Sequence, residues 1–155
     1  MTTLLFFLLM GSMKGMAQQF DRGNFYTAIA ATDMAQMDAE LAVLKNASFA
    51  GKEAYEGTLM MKRSGTLSRA KDKLSMFKSG RSKLEAAIAK DNNNTEYHFL
   101  RVMIQEHAPG IVNYRGDIEK DVQAIRAGYK TLPALVQQFI ADYSKKSAVL
   151  KPSYF

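Results

Sequence analysis

Residues 67–94, LSRAKDKLSMFKSGRSKLEAAIAKDNNN, decide the fold class of this chain. Apolar side chains recur there at spacings of three, four and seven, which is the pattern of an amphipathic helix. The run closes on consecutive asparagines, which favour a turn. The apolar positions are Leu67, Ala70, Leu74, Phe77, Leu84 and Ile88. We expect one long helix with these side chains on its inward stripe and Thr66 as its N-cap.

The same helical spacing recurs on both sides of this stretch, from Phe25 to Leu150. No segment alternates apolar and polar residues for long enough to predict a strand. The expected helices cover about 24–31, 34–46, 49–63, 67–90, 95–108, 118–129 and 132–146. The sequence therefore predicts an all-α fold in which six to seven helices stack as antiparallel hairpins.

Capping residues and small residues refine this prediction. The expected N-caps of the helices that follow them are either Thr32 or Asp33, then Ser48, and then Asp117. Met34, Met37, Leu41 and Leu44 form the expected inward stripe of the second helix. Ala50, Ala54, Gly57 and Met61 share one side of the third helix. Because three of these four residues are small, they predict a close approach by a neighbouring helix.

Composition limits the classes of protein that remain. The chain has 155 residues, of which 47% are hydrophobic, and three prolines, so it can build a core of its own. It has no cysteine, which excludes disulfide frameworks, thiolate metal sites and cysteine nucleophiles. The two histidines, His98 and His107, form no metal-binding motif, and no phosphate-binding glycine loop is present. We therefore predict no metal and no cofactor.

The N-terminus carries the pattern of an export signal. Residues 4–10, LLFFLLM, are a short apolar run, and Gly15-Met16-Ala17 places small residues where a signal peptidase cleaves. The run is too short to span a bilayer, which takes about 20 apolar residues. We expect residues 1–17 to be removed, leaving 18–155 as a single helical domain in the periplasm or outside the cell, with no transmembrane segment.

Residues 77–93, FKSGRSKLEAAIAKDNN, resemble the second helix of a tetratricopeptide repeat and the turn that follows it. In that family a small residue, a large apolar residue, an alanine and a proline occur in this order, at fixed positions along the helix and the turn. Gly80, Leu84, Ala87 and Asn92 stand at those positions, with asparagine in place of proline. No comparable second copy lies 34 residues away. The resemblance implies helical-hairpin packing and a surface for a protein or peptide partner.

A second resemblance covers residues 96–121. The segment 96–105, EYHFLRVMIQ, followed by Pro109, Tyr114, Ile118 and Asp121, is similar to a pattern in small uncharacterised exported helical proteins of Gram-negative bacteria. The resemblance implies export and an all-α fold. It carries no activity.

The helix predicted over 95–108 holds one constellation of polar residues. On a 3.6-residue repeat, His98, Arg101 and Gln105 gather opposite the apolar face. They form either a groove for an acidic group, because arginine recognises carboxylates, or an ordinary solvated face. Glu96 and His107 fall in the apolar sector. We expect both to be buried polar residues, Glu96 being favoured at a helix N-terminus.

Basic residues are concentrated in one span of the chain. Lysine and arginine number 21 against 15 acids, a net charge of +6, and the span 62–83 holds eight cations and one acid. The candidate contact residues in this basic stripe are Lys71, Lys73, Lys78 and Arg81. Export and the lack of interleaved aromatic residues disfavour nucleic acid as the partner. The stripe is either the solvated side of a long helix or a surface for an acidic partner.

Two functions follow from these observations. The favoured one is a non-enzymatic module that binds a protein or peptide partner in the cell envelope, through a groove beside the 95–108 helix or through the basic stripe. The alternative is a small-ligand binder or an enzyme that gathers Glu96, His98, Arg101 and His107 around an enclosed cavity. A structure in which these side chains point away from one another would exclude that alternative.

Overall fold

A computed structural model describes residues 19–155, so the expected signal segment 1–17 lies outside the described residues. Within 19–155 the fold is all-α, as the sequence predicts, and no residue is in a strand. The seven α-helices are α1 Arg22–Ala30, α2 Met34–Asn46, α3 Lys52–Ser64, α4 Ala70–Lys90, α5 Thr95–Gln105, α6 Ile118–Gly128 and α7 Ala134–Ser144. Three short 3₁₀ turns lie at Gly110–Val112, Tyr129–Thr131 and Pro152–Tyr154. No helix in this range is long and apolar enough to cross a membrane.

The most extensive contact between two helices joins α3 and α4. A Cβ atom built on Gly57 lies 2.5 Å from the carbonyl oxygen of Gly80, and one built on Gly80 lies 2.5 Å from that of Gly57. Both distances are too short for any real side-chain carbon, so both positions must be glycine at this helix spacing. The close approach predicted from the small residues of the third helix is therefore confirmed.

The centre of the fold is α5. It packs against α3, α4 and α6. Its Phe99 ring also meets Tyr26 of α1 and Tyr143 of α7. Every residue of α5 except Met103 is buried. A helix buried on all sides has no solvated face, so its polar side chains must find partners inside the protein.

The helix starts follow the expected caps only in part. The Asp33 side chain accepts a hydrogen bond from the Ala35 amide, as predicted. Ser48 is not a cap, because the chain makes a further turn and α3 begins after Gly51, whose φ of 82° suits glycine. Thr66 is also not a cap. Its hydroxyl donates to the carbonyl of Arg63, and α4 starts later, at Ala70.

Two apolar residues expected on inward stripes are exposed. Met34 is 48% exposed and Leu74 is 43% exposed. Met34 is the first residue of α2, and Leu74 lies in the second turn of α4. The later members of the same stripes are buried: Met37 and Leu44 in α2, and Phe77, Leu84 and Ile88 in α4.

Candidate functional site

Arg101, at the middle of α5, is the hub of a buried ion-pair network. Its Nε and Nη2 atoms each donate to one oxygen of Asp121 on α6, both at 2.7 Å. Its Nη1 donates to Glu85 on α4, also at 2.7 Å. This two-bond fork is the strongest form of arginine–carboxylate pairing. The guanidinium thus ties α5 to both α4 and α6, and Arg101 as a whole residue is only 4% exposed.

His98 extends this network by one turn of α5. Its Nδ1 lies 2.6 Å from Asp121, and its Nε2 lies 2.8 Å from the carbonyl oxygen of Asn92. Both partners can only accept, so both ring nitrogens must carry hydrogens and the ring is an imidazolium. The hydrogen bond to Asp121 accordingly raises the pKa of His98 above its ordinary value.

The acids of the network differ in burial. His98 and Arg101 face Asp121, which is fully buried, and Arg101 also pairs with Glu85, which is 37% exposed, while the half-exposed Asp117 lies 3.8 Å from Arg101 Nη1. The second oxygen of Glu85 accepts from the Tyr114 hydroxyl at 2.5 Å. The network holds α4, α5 and α6 together. Removing one member of a buried, hydrogen-bonded charge group is costly, because it leaves the other charges without partners. We therefore assign it to the fold, and neither His98 nor Arg101 lines an open groove.

Arg81, a member of the basic stripe, lies at the edge of this network. Its guanidinium stacks over the Tyr114 ring at 4.6 Å, and its Nη1 donates to the carbonyl of Val112. Burial, reinforced by Glu85, raises the pKa of Tyr114, so the hydroxyl stays a donor. Arg81 therefore has a structural role in holding the 110–114 segment against α4.

Gln105 and Glu96 are also buried, at opposite ends of α5. The side-chain amide of Gln105 has no hydrogen-bond partner among the described residues. Glu96 accepts from the Tyr26 hydroxyl at 3.1 Å and from Arg22 at 3.2 Å, which joins α5 to α1. Burial and the Glu96 carboxylate raise the pKa of Tyr26. Glu96 is thus a buried polar residue, as predicted.

His107 is exposed, so the prediction that it is buried was wrong. The reason is that α5 ends at Gln105, short of the predicted end, which places His107 in a turn. Its ring lies 3.3 Å from the Tyr143 hydroxyl. Glu96, His98 and His107 therefore contact different elements, and the four residues of the enzyme alternative do not surround a common centre.

An open groove lies at this end of α5. It has a volume of about 520 Å³ and is lined by Glu106, His107, Arg115, Ile118, Lys146, Ala148 and Val149. Arg115 donates from Nε to the carbonyl of Gln105 at 3.0 Å, which caps the helix. Burial alone would raise the pKa of Glu106, but bonds from Tyr143, Ala148 and Ser147 hold it below its usual value.

The outer face of α4 carries exposed lysines of the basic stripe. Several cations of the stripe are already neutralised: Arg63 by Asp38, Arg69 by Asp72 and Lys83 by Glu56. The lysines of the stripe that are exposed, with no ion pair to any residue in 19–155, are Lys62, Lys71, Lys73 and Lys78. Lys71 and Lys78, which are seven residues apart and share the outer side of α4, are called the basic face below, since Lys73 lies on the opposite side of α4 and Lys62 belongs to α3.

Two exposed apolar side chains accompany the basic face. Leu74 lies between Lys71 and Lys78 at helical spacing, on the same side of α4. Ile111, 93% exposed, sits in the turn that Arg81 holds against α4 through the Val112 carbonyl. The surface thus combines unpaired cations with apolar contact points, a combination that suits an acidic partner with apolar side chains.

The sequence pattern alone does not single out Asp121 and Glu40, two buried acids on helices α6 and α2. The signal for Asp121 is its place among Ile118 and Ile125, which share its face of α6 at spacings of three and four. A lone acid within an apolar stripe implies a buried cationic partner.

Comparison of the chain with protein-family models, with curated proteins and with solved structures finds no match.

Proposed function

We propose that this chain is an exported, non-enzymatic helical module that binds an acidic protein or peptide partner through the basic face of α4. The observation that carries the proposal is the contrast within the stripe. Lys71 and Lys78, which share the outer side of α4, lack an ion pair within 19–155, whereas Arg63, Arg69 and Lys83 are paired. Unpaired like charges on one face repel one another, and an acidic partner relieves this repulsion.

The tetratricopeptide-like character of residues 77–93 belongs to this proposal. Gly80 provides the close helix contact at the small-residue position of that pattern. A hairpin held this tightly presents its outer surface as a rigid platform, and a rigid platform loses little entropy on binding. Export rests on residues 4–17, and N-terminal sequencing of secreted protein tests it, with Gln18 expected as the first residue.

The binding proposal is tested by titrating an acidic amphipathic peptide, of alternating glutamate and leucine, into the protein at low and physiological salt. We expect binding that weakens with salt, because exposed ion pairs are screened. The triple variant Lys71→Gln, Lys73→Gln, Lys78→Gln should bind roughly tenfold more weakly, since each exposed pair contributes about 0.2–1 kcal/mol.

The matched control removes the same charge elsewhere. Lys45, Lys120 and Lys130 are exposed lysines on other parts of the surface, and their triple change to glutamine should leave binding unchanged. Equal losses in the two triple variants would mean that only net charge matters, and the proposal would fail. Parallel titrations with anionic lipid vesicles and with single-stranded DNA test the two competing partner classes, and tighter binding to either contradicts a protein partner.

A second candidate function is binding of a small anionic ligand in the groove at the end of α5. The observation that favours it is that Arg115 and Lys146 line a cavity of about 520 Å³ whose one carboxylate, Glu106, is already bonded to Tyr143, Ser147 and Ala148. Ile118 and Val149 give this cavity apolar walls. Binding of a small carboxylate that is lost in Lys146→Gln, but kept in the triple variant of α4, would support this function.

A further inference from the structure

A second cleft lies on a different part of the molecule, between α1 and α2. Its volume is about 220 Å³. The polar residues that line it are Asn24 and Thr27 from α1 and Gln36 and Glu40 from α2, and its remaining walls are the small side chains of alanine and valine. No lysine, arginine or histidine lines this cleft.

Glu40 is the unusual residue of the cleft. It is only 8% exposed, and its Oε1 is buried with no hydrogen-bond partner among the described residues. The other buried carboxylates accept several hydrogen bonds each. Asp121 accepts from Arg101 and His98, and Glu106 accepts from Tyr143, Ser147 and Ala148. A buried carboxylate without a hydrogen-bond donor is destabilising, so a positive charge placed beside Glu40 in the cleft would offset that cost.

The electrostatics around Glu40 favour a positive ligand. Burial and the nearby negative charge of Asp21 both raise the pKa of Glu40. The side chains of Asn24, Thr27 and Gln36 each offer an oxygen that can accept a further hydrogen bond. A metal ion is disfavoured, because no group of three or more His, Asp or Glu side chains within 19–155 is placed to hold one.

We propose that the α1–α2 cleft binds an organic cation that carries N–H donors, an ammonium or guanidinium group. The cation lies against Glu40, which supplies the countercharge, and its remaining hydrogens reach the amide and hydroxyl oxygens at the rim. The small walls leave room for the alkyl chain that carries the charge. This site is separate from the basic face and of opposite charge, so it takes a different ligand.

Two sources supply this chemistry: a free alkylamine, or a lysine or arginine side chain of a bound polypeptide. Titrations followed by amide NMR distinguish them. One arm uses n-butylammonium chloride, and the other uses the acetylated and amidated tripeptide Gly-Lys-Gly, whose only charge is the lysine. Sodium butyrate at equal ionic strength controls for the alkyl chain. We expect amide shifts confined to residues of α1 and α2 in at least one arm, and none with butyrate.

The matched variants are Glu40→Gln and Glu119→Gln, the second on the exposed surface of α6. Glu40→Gln should weaken binding by about tenfold or more, the loss expected for a hydrogen bond to a charged group. Glu119→Gln should bind as the unchanged protein does. Ala39→Leu, which fills the cleft and keeps the carboxylate, should also abolish binding and tests the cleft independently of Glu40.

Binding of butylammonium identifies a free amine as a sufficient ligand, and binding of the tripeptide alone identifies a polypeptide side chain. Absence of saturable shifts in both arms would overturn the proposal. So would full binding by the Glu40→Gln protein. Neither result bears on the basic face, because the acidic-peptide titration reports on different residues.

Discussion

The α5–α6 interface and the outer face of α4 both carry cationic side chains, and the fold uses them in opposite ways. At the interface, Arg101 and His98 are buried and each is bonded to Asp121. On α4, Lys71 and Lys78 are exposed with no ion pair to a described residue. The difference lies in the position of the helix, because α5 is enclosed and α4 has one side in solvent. Charge in a sequence therefore indicates recognition only where the helix leaves it unpaired.

The largest expected effect comes from removing the shared carboxylate of the interface. Asp121→Ala leaves the His98 and Arg101 cations buried without their main partner. We expect a loss of about 3–5 kcal/mol in the free energy of unfolding, as for other broken buried pairs. Urea unfolding followed by circular dichroism measures it.

The matched control for this change is Asp117→Ala. Asp117 lies 3.8 Å from the same arginine, but its side chain is half exposed. Its removal should cost less than about 1 kcal/mol. Similar losses for the two variants would show that the interface is no more important than a surface ion pair.

A smaller effect is expected where α4 is held against α3. Gly57→Ala places a methyl group 2.5 Å from the Gly80 carbonyl oxygen, and because that atom is backbone the helices must move apart. We expect a loss of about 1–3 kcal/mol, the usual cost of overpacking. Thermal unfolding measures it. In the control Gly65→Ala, the nearest atom lies 3.4 Å away, and the change should be neutral or slightly stabilising.

A pH dependence of stability near neutral pH should come from His98. Because its pKa is raised above 6.5 in the folded protein, the folded state holds a proton that the unfolded state loses as pH rises. The stabilisation is complete below about pH 6.5 and is lost as pH rises through the folded pKa. Urea midpoints should therefore fall over this window, and His98→Gln should remove that component. A rise in stability with pH would contradict the imidazolium assignment.

The smallest effect on stability is expected for the exposed lysines of α4. The triple change of Lys71, Lys73 and Lys78 to glutamine should shift the free energy of unfolding by less than about 0.5 kcal/mol per site, because no described residue pairs with them. Urea unfolding of this triple variant and of the Asp121→Ala variant, measured in parallel, compares the two regions directly. A loss as large as that of the buried network would mean that these lysines hold the fold together.

The sequence predicts the helices because helix formation leaves its mark in local spacing and in turn residues. Asn94, for example, accepts a hydrogen bond from the Tyr97 amide and starts α5 where the asparagine cluster suggests. The close helix contact at Gly57 is also predicted, because small residues on one side of a helix indicate that another helix approaches there. These features each depend on a few neighbouring residues.

The role of the polar residues on α5 is not predicted, because it depends on partners far along the chain. One apolar face and one polar face imply a helix half in solvent, yet α6 and α4 bring Asp121 and Glu85 to the polar side. The predicted burial of His107 fails for a related reason. The helix ends at Gln105, so the helical repeat no longer decides which way the His107 side chain points. Glu40 shows no local sign of being left without a partner.

The most direct test of the contrast between the two regions is a residue-by-residue map of binding. The acidic glutamate–leucine peptide is titrated into labelled protein, and amide NMR shifts are followed along the chain. We expect the shifts to centre on residues 71–78 of α4 and on Ile111, with His98 and Arg101 unaffected. Shifts that centre on α5 and α6, with α4 unchanged, would contradict the account.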